Sequence, residues 1–337
     1  MDTHDDTQHP VDRGEDTPDD LNPQTLRKVL DKARRRATVR NVSLSVLAVG
    51  VLAVAGLVIN GEWTGGVASR LPFEVGQQLS LQYPDLYMGT YHYSLGVLGG
   101  TLDIGTFDLV DGTPTPGPTW QFQYSVFGGL SYPGGGGDMS PAPQFGTPDG
   151  TRMFNDQTEQ PIMEFYLPGV TYAQHFNDLS KLKQIPAQDH VEMALSFNRD
   201  YSFQQVNAML PAGMHPSWYW VDTYSASERR MKNPFPFTSA IGTIFGFPRL
   251  AYADPSAPSQ TPADFLAMLK SGLNGPTLWR AQDQQILKTL AHGTGKPTAS
   301  DVKISGVVVT GTPTSLQSLQ GETYIRASSL GAIAPPF

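Results

Sequence analysis

Residues 34–59 read RRRATVRNVSLSVLAVGVLAVAGLVI, in which four arginines precede a long apolar segment. Residues 42–59 form 18 positions without a charge, and the most polar of them are two serines. An α-helix of this length extends roughly 27 Å, close to the thickness of a bilayer's hydrocarbon core. A buried helix of a soluble protein would carry a polar face, which this segment lacks. The sequence therefore predicts a transmembrane helix over residues 42–60, with Trp63 as an interfacial anchor.

The charges on the two flanks of this segment predict its orientation. Arg34, Arg35, Arg36 and Arg40 precede it, and the segment that follows carries few charges of either sign. Because basic flanks stay in the cytoplasm, we expect a single-pass membrane protein with a cytoplasmic N-terminus and residues 61–337 outside. The alternative is a signal peptide cleaved near residues 66–68. A signal peptide begins with a short basic region, however, whereas here forty residues with an acidic start precede the apolar segment.

Composition limits the function classes. The chain has 337 residues, a net charge of −8 and no cysteine, which excludes thiolate metal sites and thiol catalysis. Much of the negative charge lies in the first twenty residues, so the outer part is weakly charged and does not resemble a nucleic-acid-binding surface. We expect no direct contact with nucleic acid.

The part before the apolar segment divides into two pieces. Residues 1–20 are acidic and almost free of apolar side chains, which predicts a disordered tail. Residues 21–41 predict a basic helix that begins at Asn22 as N-cap and Pro23 as first helical residue. Its apolar residues fall on one narrow stripe: Leu26, Val29, Leu30, Ala33 and Ala37. The stripe fits either a helix lying on anionic lipid or a helix that docks into a groove of a cytoplasmic partner.

The outer part predicts an α+β fold with a mixed or antiparallel sheet. In residues 61–159, strand patterns occupy 87–98, 101–110 and 119–127, and the Gly- and Pro-rich stretches 111–118 and 132–151 predict loops. From residue 160 the patterns alternate. Strands are predicted at 190–197, 218–224, 302–310 and 323–325, and helices at 202–210, 261–272, 278–290 and 313–319.

Several quoted stretches carry a resemblance to a known family. The sequences AQDHVEMALSFNRDYSFQQVNAMLP, WYWVDTY, FGFP, DFLAMLKSG and GVVVTGTPTSLQSLQGETYIRASSLGAIAPPF are similar to the C-terminal domain of the bacterial sigma factor regulator family, over roughly residues 160–337. The sequence LRKVLDKARRRATVRNVSLSVL resembles the family's N-terminal segment. Members are regarded as membrane-anchored anti-sigma factors for extracytoplasmic-function sigma factors.

The resemblance implies an outer sensing domain, one membrane pass and a cytoplasmic segment that controls a sigma factor. Many anti-sigma factors also carry a cytoplasmic helical bundle with a His and Cys zinc motif, and this chain departs from that pattern. We therefore expect the basic helix to bind the sigma factor, with membrane lipid and a partner membrane protein as further candidate partners. The alternative is an extracytoplasmic binding protein whose N-terminal segment serves only as an anchor.

No catalytic constellation is predicted, and neither a cofactor nor a metal ion is expected. Ser300 and Lys303 have the spacing used by penicillin-recognising enzymes, but the accompanying motifs are missing. Four scattered histidines show no ligand spacing: His175, His190, His215 and His292. The aromatic residues of WYWVDTY are expected to pack in the core, and Arg326 is expected to contact a carbonyl or a carboxylate such as that of Asp222.

Overall fold

The computed structural model describes residues 23–137, 139–147, 150–232, 234–240, 242–251, 257–293 and 295–336. The chain divides into two compact units, residues 1–59 and residues 60–337. The predicted acidic tail and the Asn22 cap lie outside the described residues.

The first described element is one uninterrupted helix, α1 (Pro23–Ala68), of 46 residues. It begins at the predicted proline and continues beyond the apolar segment by nine residues, to Ala68. Among the described residues, this is the part of the chain long and apolar enough to cross a membrane. The basic segment and the apolar segment are therefore one helix.

A second helix, α2 (Leu71–Gln82), follows almost at once and leads into a four-stranded antiparallel sheet. The strands lie in chain order: β1 (Leu86–Leu95), β2 (Gly99–Val110), β3 (Thr113–Ser125) and β4 (Leu130–Gly135). The core of this region contains Val75 and Leu79 of α2 against Leu102 and Ile104 of β2. The sheet thus buries one face against the amphipathic face of α2.

Two loop predictions in this region are wrong. Residues 113–118 belong to β3, although they include prolines. Because β4 pairs only with residues 120–124, the outer edge of this stretch needs no N–H donors, and Pro114 and Pro116 fit there. Most of the described residues in 132–151 also lie in strands. They form the end of β4, then β5 (Met139–Thr147) and the start of β6 (Gly150–Asn155), and β5 and β6 pair antiparallel.

The second sheet has five antiparallel strands in the order β11-β9-β12-β8-β13. They are β8 (His190–Ser202), β9 (Pro216–Val221), β11 (Gly246–Pro248), β12 (Lys303–Gly311) and β13 (Ile325–Ala334). Two further short strands, β7 (Glu164–Phe165) and β10 (Phe237–Thr238), pair with each other. The antiparallel α+β architecture is confirmed. The predicted last strand at 323–325 is misplaced, because residues 323 and 324 form a turn and β13 begins at Ile325.

Both faces of this sheet are covered, so its central strands carry buried apolar side chains on both faces. On one face, Tyr219 and Val307 join a core built with α3 (Phe203–Met209), α4 (Pro262–Gly272), α5 (Thr277–Leu290) and α6 (Pro313–Leu316). On the other face, Trp218, Trp220 and Val308 pack against residues 163–172. The alternation of strand side chains places the aromatics of WYWVDTY in two cores, as predicted.

The expected Arg326–Asp222 pair is not formed. Arg326 donates to the backbone carbonyls of Leu167 and Val170, at 3.1 and 2.5 Å. Asp222 instead pairs with Arg229, at 2.5 Å. Backbone carbonyls are therefore the hydrogen-bond partners of Arg326, which is one of the two partner types expected from the sequence.

Candidate functional site

The five residues of the predicted partner-binding stripe lie on one face of α1. Leu26, Val29 and Leu30 are 46–60% exposed, and Ala33 and Ala37 are exposed as well. Their spacing of three or four residues aligns them along the helix, because an α-helix repeats every 3.6 residues. Side chains of this kind normally become buried against a partner or a lipid surface.

The predicted membrane-flanking arginines lie on the same helix and are exposed. Arg34 to Arg36 lie in the sequence between Ala33 and Ala37 of the stripe, and Arg40 lies two residues before the apolar segment. A cluster of four guanidinium groups can bind lipid phosphates and acidic protein surfaces alike. The geometry of α1 therefore leaves the lipid and partner interpretations both open.

In the outer unit, α2 joins the two sheets. Its residues Val75 and Leu79 pack in the core of the four-stranded sheet, whereas Leu81 packs in the core of the C-terminal sheet. Polar contacts fix the same helix to the C-terminal part: the Trp218 indole N–H donates to the Ser80 carbonyl at 3.0 Å. Helix α2 is thus held by contacts with the four-stranded sheet and with the C-terminal sheet.

The strongest polar contact of α2 is buried. The Gln78 Nε2 donates to Asp283 Oδ1 of α5 at 2.7 Å, and both side chains are almost inaccessible to water. Asp283 Oδ2 has no hydrogen-bond partner, and burial raises the pKa of Asp283 from 3.8 to about 6. A Cβ at Gly272 would overlap with Oδ2, so only glycine leaves room for the carboxylate.

A cavity of about 740 Å³ opens beside α2. Its described walls come from α2, the start of β1, the segment after β11, and α4, and they include Phe73, Met88 and Met268. The wall is mostly apolar, and its polar side chains are Gln77, Ser80, Ser259, Gln260, Asp264 and Ser271. A cavity with this size and lining fits a small apolar ligand.

Three carboxyl groups meet where the two sheets approach each other. Asp85 precedes β1, Asp108 lies on β2 and Glu192 lies on β8; Asp85 and Glu192 are buried. Burial raises the pKa of all three groups, and the charge of Asp85 raises the pKa of Asp108 and Glu192 further. The Ala332 N–H donates to Glu192 Oε2 at 3.0 Å. The described residues contain no group of His, Asp and Glu arranged to hold a metal ion.

The other residues considered from the sequence are not brought together. His190 Nδ1 contacts Asp111 Oδ2 at 2.8 Å, which links β8 to the turn after β2. Lys303 Nζ donates to the Ser300 carbonyl at 2.8 Å, near the surface. Neither contact forms a nucleophile and base arrangement.

Residues 182–332 match the family model described as sigma factor regulator C-terminal. This part of the chain is similar to the sigma factor regulator C-terminal family. No curated protein and no solved structure gives a significant match. The match begins in the 3-10 helix Asp178–Gln184 and ends in β13. It contains β8, β9, β11 and β12, most of β13, and helices α3–α6.

The recognition made from the sequence is confirmed over these residues. The four-stranded sheet, α2 and α1 lie outside the matched range, and the likeness of the N-terminal segment stays a prediction. We call the Gln78–Asp283 contact and the three carboxyl groups the junction of the two sheets. Asp283 and Glu192 lie in the matched range, whereas Gln78, Asp85 and Asp108 precede it.

Sequence reasoning missed this junction. A local signal for α2 exists, because Leu71, Val75 and Leu79 recur every four residues after a proline at the helix start. The contact between Gln78 and Asp283 has no such signal, since 205 positions separate the two residues.

Proposed function

We propose that the protein is a membrane-anchored negative regulator, an anti-sigma factor, of an extracytoplasmic-function sigma factor. The match of residues 182–332 to the sigma factor regulator family carries the regulatory assignment. The exposed apolar stripe of α1 supports this helix as the site that binds the sigma factor, because it offers a partner a preformed helix with an apolar face. The proposal involves no catalytic step, cofactor or metal ion.

In this proposal the chain has five parts, with the N-terminus in the cytoplasm. Residues 1–20 are the acidic tail, 21–41 the helix that binds the sigma factor, and 42–60 the membrane span; 61–159 and 160–337 form the outer part. The arginines that flank the span keep the N-terminus inside and bind anionic lipid. A partner membrane protein enlarges the surface offered to the sigma factor.

The binding step uses the apolar stripe. Leu26, Val29, Leu30, Ala33 and Ala37 fill a groove of the sigma factor, and the occupied groove is then unavailable to RNA polymerase. The outer part senses an envelope signal and passes it to α1 through α2. Support for this route comes from the contacts that hold α2 to both sheets.

The test is a pair of charge substitutions on α1. Leu30→Asp places a carboxylate in the proposed groove, where an unpaired charge costs several kcal/mol, so transcription from a promoter of the target sigma factor should rise. Thr38→Asp adds the same charge about 80° around the helix, outside the stripe, and should leave transcription unchanged. Protein abundance in the membrane fraction is measured for both variants. Unchanged transcription in Leu30→Asp at normal abundance would refute binding through the stripe.

A second function is favoured by the cavity beside α2. In this alternative the outer part is an extracytoplasmic binding protein for a small apolar ligand, and the N-terminal segment only anchors it. A bacterial two-hybrid assay of residues 1–41 against the extracytoplasmic-function sigma factors of the same cell separates the two. An interaction abolished by Leu30→Asp supports the regulator, and the absence of interaction with every sigma factor supports the anchor.

A further inference from the structure

Three strands of the four-stranded sheet, β1, β3 and β4, carry no charged side chain of Asp, Glu, Lys or Arg. No Asp, Glu, Lys or Arg occurs in residues 86–102 or 112–137, which contain β1, the start of β2, β3 and β4. β1 is an edge strand, and Tyr91, Tyr93 and Leu95 on it are 44–52% exposed. Soluble surfaces normally distribute charges over such a sheet edge, both for solubility and against edge-to-edge pairing.

The apolar exposure is greatest at the turn between β1 and β2. Val97 is 88% exposed, and the neighbouring Leu98 is 40% exposed and has a positive φ of 56°. The next turn on this side carries Phe127, which is 76% exposed. The Val126 N–H donates to the Leu98 carbonyl at 3.0 Å, so the two turns lie side by side. Together, Val97, Leu98 and Phe127 form an apolar tip.

The tip is attached to the residue that follows the apolar segment of α1. The Asn60 Nδ2 donates to the Gly96 carbonyl at 2.9 Å, and the Leu98 N–H donates to Asn60 Oδ1 at 2.6 Å. Asn60 is the covalent neighbour of Ile59, the last residue of the uncharged run. One and two turns further along α1, Thr64 and Ala68 are buried. The tip is thus bonded to Asn60, the first residue after the uncharged run.

We propose that the apolar tip inserts into the outer leaflet of the bilayer, giving the outer part a second membrane contact. Val97, Leu98 and Phe127 enter the acyl region, and Trp63 and Tyr93 lie at the headgroup level, as interfacial aromatics do. The contact fixes the orientation of the outer part on the membrane. The inference rests on the proposed topology, in which residues 42–60 span the membrane.

The absence of cysteine allows a direct measurement. Single-cysteine variants Val97→Cys and Phe127→Cys of the full chain are spin-labelled and reconstituted in nanodiscs of phosphatidylethanolamine and phosphatidylglycerol. Collision with oxygen, which partitions into lipid, is compared with collision with a water-soluble nickel chelate. Leu52→Cys reports the membrane span itself. Pro114→Cys is the matched control, because it is exposed and pairs with Leu109, about 33 Å along β2 from Gly99.

Labels at Val97 and Phe127 should collide with oxygen several-fold more often, relative to nickel, than the label at Pro114. Nickel accessibility at Val97 equal to that at Pro114, with Leu52 in lipid, would overturn the inference and leave the anchor intact. Protection of Val97 from both reagents would show that protein covers the tip and would also overturn it. A water-accessible Leu52 would overturn the transmembrane topology together with the inference.

Discussion

Replacing Asp283 by asparagine should change how the stability of the outer part depends on pH. The side chain is buried, Oδ1 accepts the Gln78 amide at 2.7 Å and Oδ2 has no partner. Burial raises the pKa from 3.8 to about 6 because the charged form loses its hydration. The folded protein therefore holds this proton more tightly than the unfolded chain does.

The sign and size of the effect follow from this difference. A raised carboxyl pKa favours folding at low pH, and the contribution is lost as pH rises from about 4 through 6. A pKa change from 3.8 to about 6 lowers the free energy of unfolding by about 3 kcal/mol at pH values above both pKa values, relative to low pH. Asparagine keeps the acceptor for Gln78 but leaves an unsatisfied amide donor, at a pH-independent cost of about 1–3 kcal/mol. The free energy of unfolding of Asp283→Asn, relative to wild type, should rise by about 2–3 kcal/mol between pH 4 and pH 8.

Urea unfolding of the full chain in a neutral detergent, followed by tryptophan fluorescence, measures this difference at each pH. Asp301→Asn is the control. Hydrogen bonds from Thr298 lower the pKa of Asp301, so this substitution should change the pH dependence of the free energy of unfolding in the opposite direction. Parallel stability curves for wild type and Asp283→Asn from pH 4 to pH 8 would refute the buried-carboxylate argument.

Three further predictions address the topology and the domain. A reporter that functions only outside the cytoplasm should be active when fused after residue 337, and activity of a strictly cytoplasmic reporter there would contradict the orientation derived from the arginines. Deleting residues 323–337 removes β13, whose Leu330 N–H donates to the buried Asp178 at 2.8 Å, so the variant should lose its resistance to limited proteolysis; equal resistance would make the segment an appendage. Gly272→Ala should destabilise by more than 1 kcal/mol, because the new methyl group overlaps with Asp283, and Gly272→Ala combined with Asp283→Ala should recover part of the loss in thermal unfolding.

The sequence predicted those elements whose signal is local. The apolar segment of α1, the alternating strand β8, the capped helix α4 and the β-branched strand β12 all occur where periodicity and capping indicated them. Each has a pattern that lies within its own residues, so it can be recognised without knowledge of its neighbours.

The failures come from contacts between distant residues. Residues 113–118 look like a loop because they contain prolines. Their pairing with β2 makes them part of a strand, and the prolines are tolerated because β4 pairs only with residues 120–124. The small residues of β13 give a weak pattern, yet its ladder with β8 runs from Phe197 to His190. Among the candidate site residues, Asp283 and Glu192 derive their raised pKa values from burial by other elements, which the sequence alone does not reveal.

The position of α2 connects these observations to regulation. Two residues separate the end of α1 from the start of α2, so no long linker lies between the proposed membrane span and the helix that both sheets hold. A ligand in the cavity beside α2 would contact this helix directly, and a proton gained or lost at Asp283 would act on it through Gln78. In the proposed function, a displacement of α2 is passed to α1 through the two residues that join the helices. Asp283→Ala removes the contact with Gln78, so it should change transcription from the target promoter while the variant remains folded and in the membrane fraction.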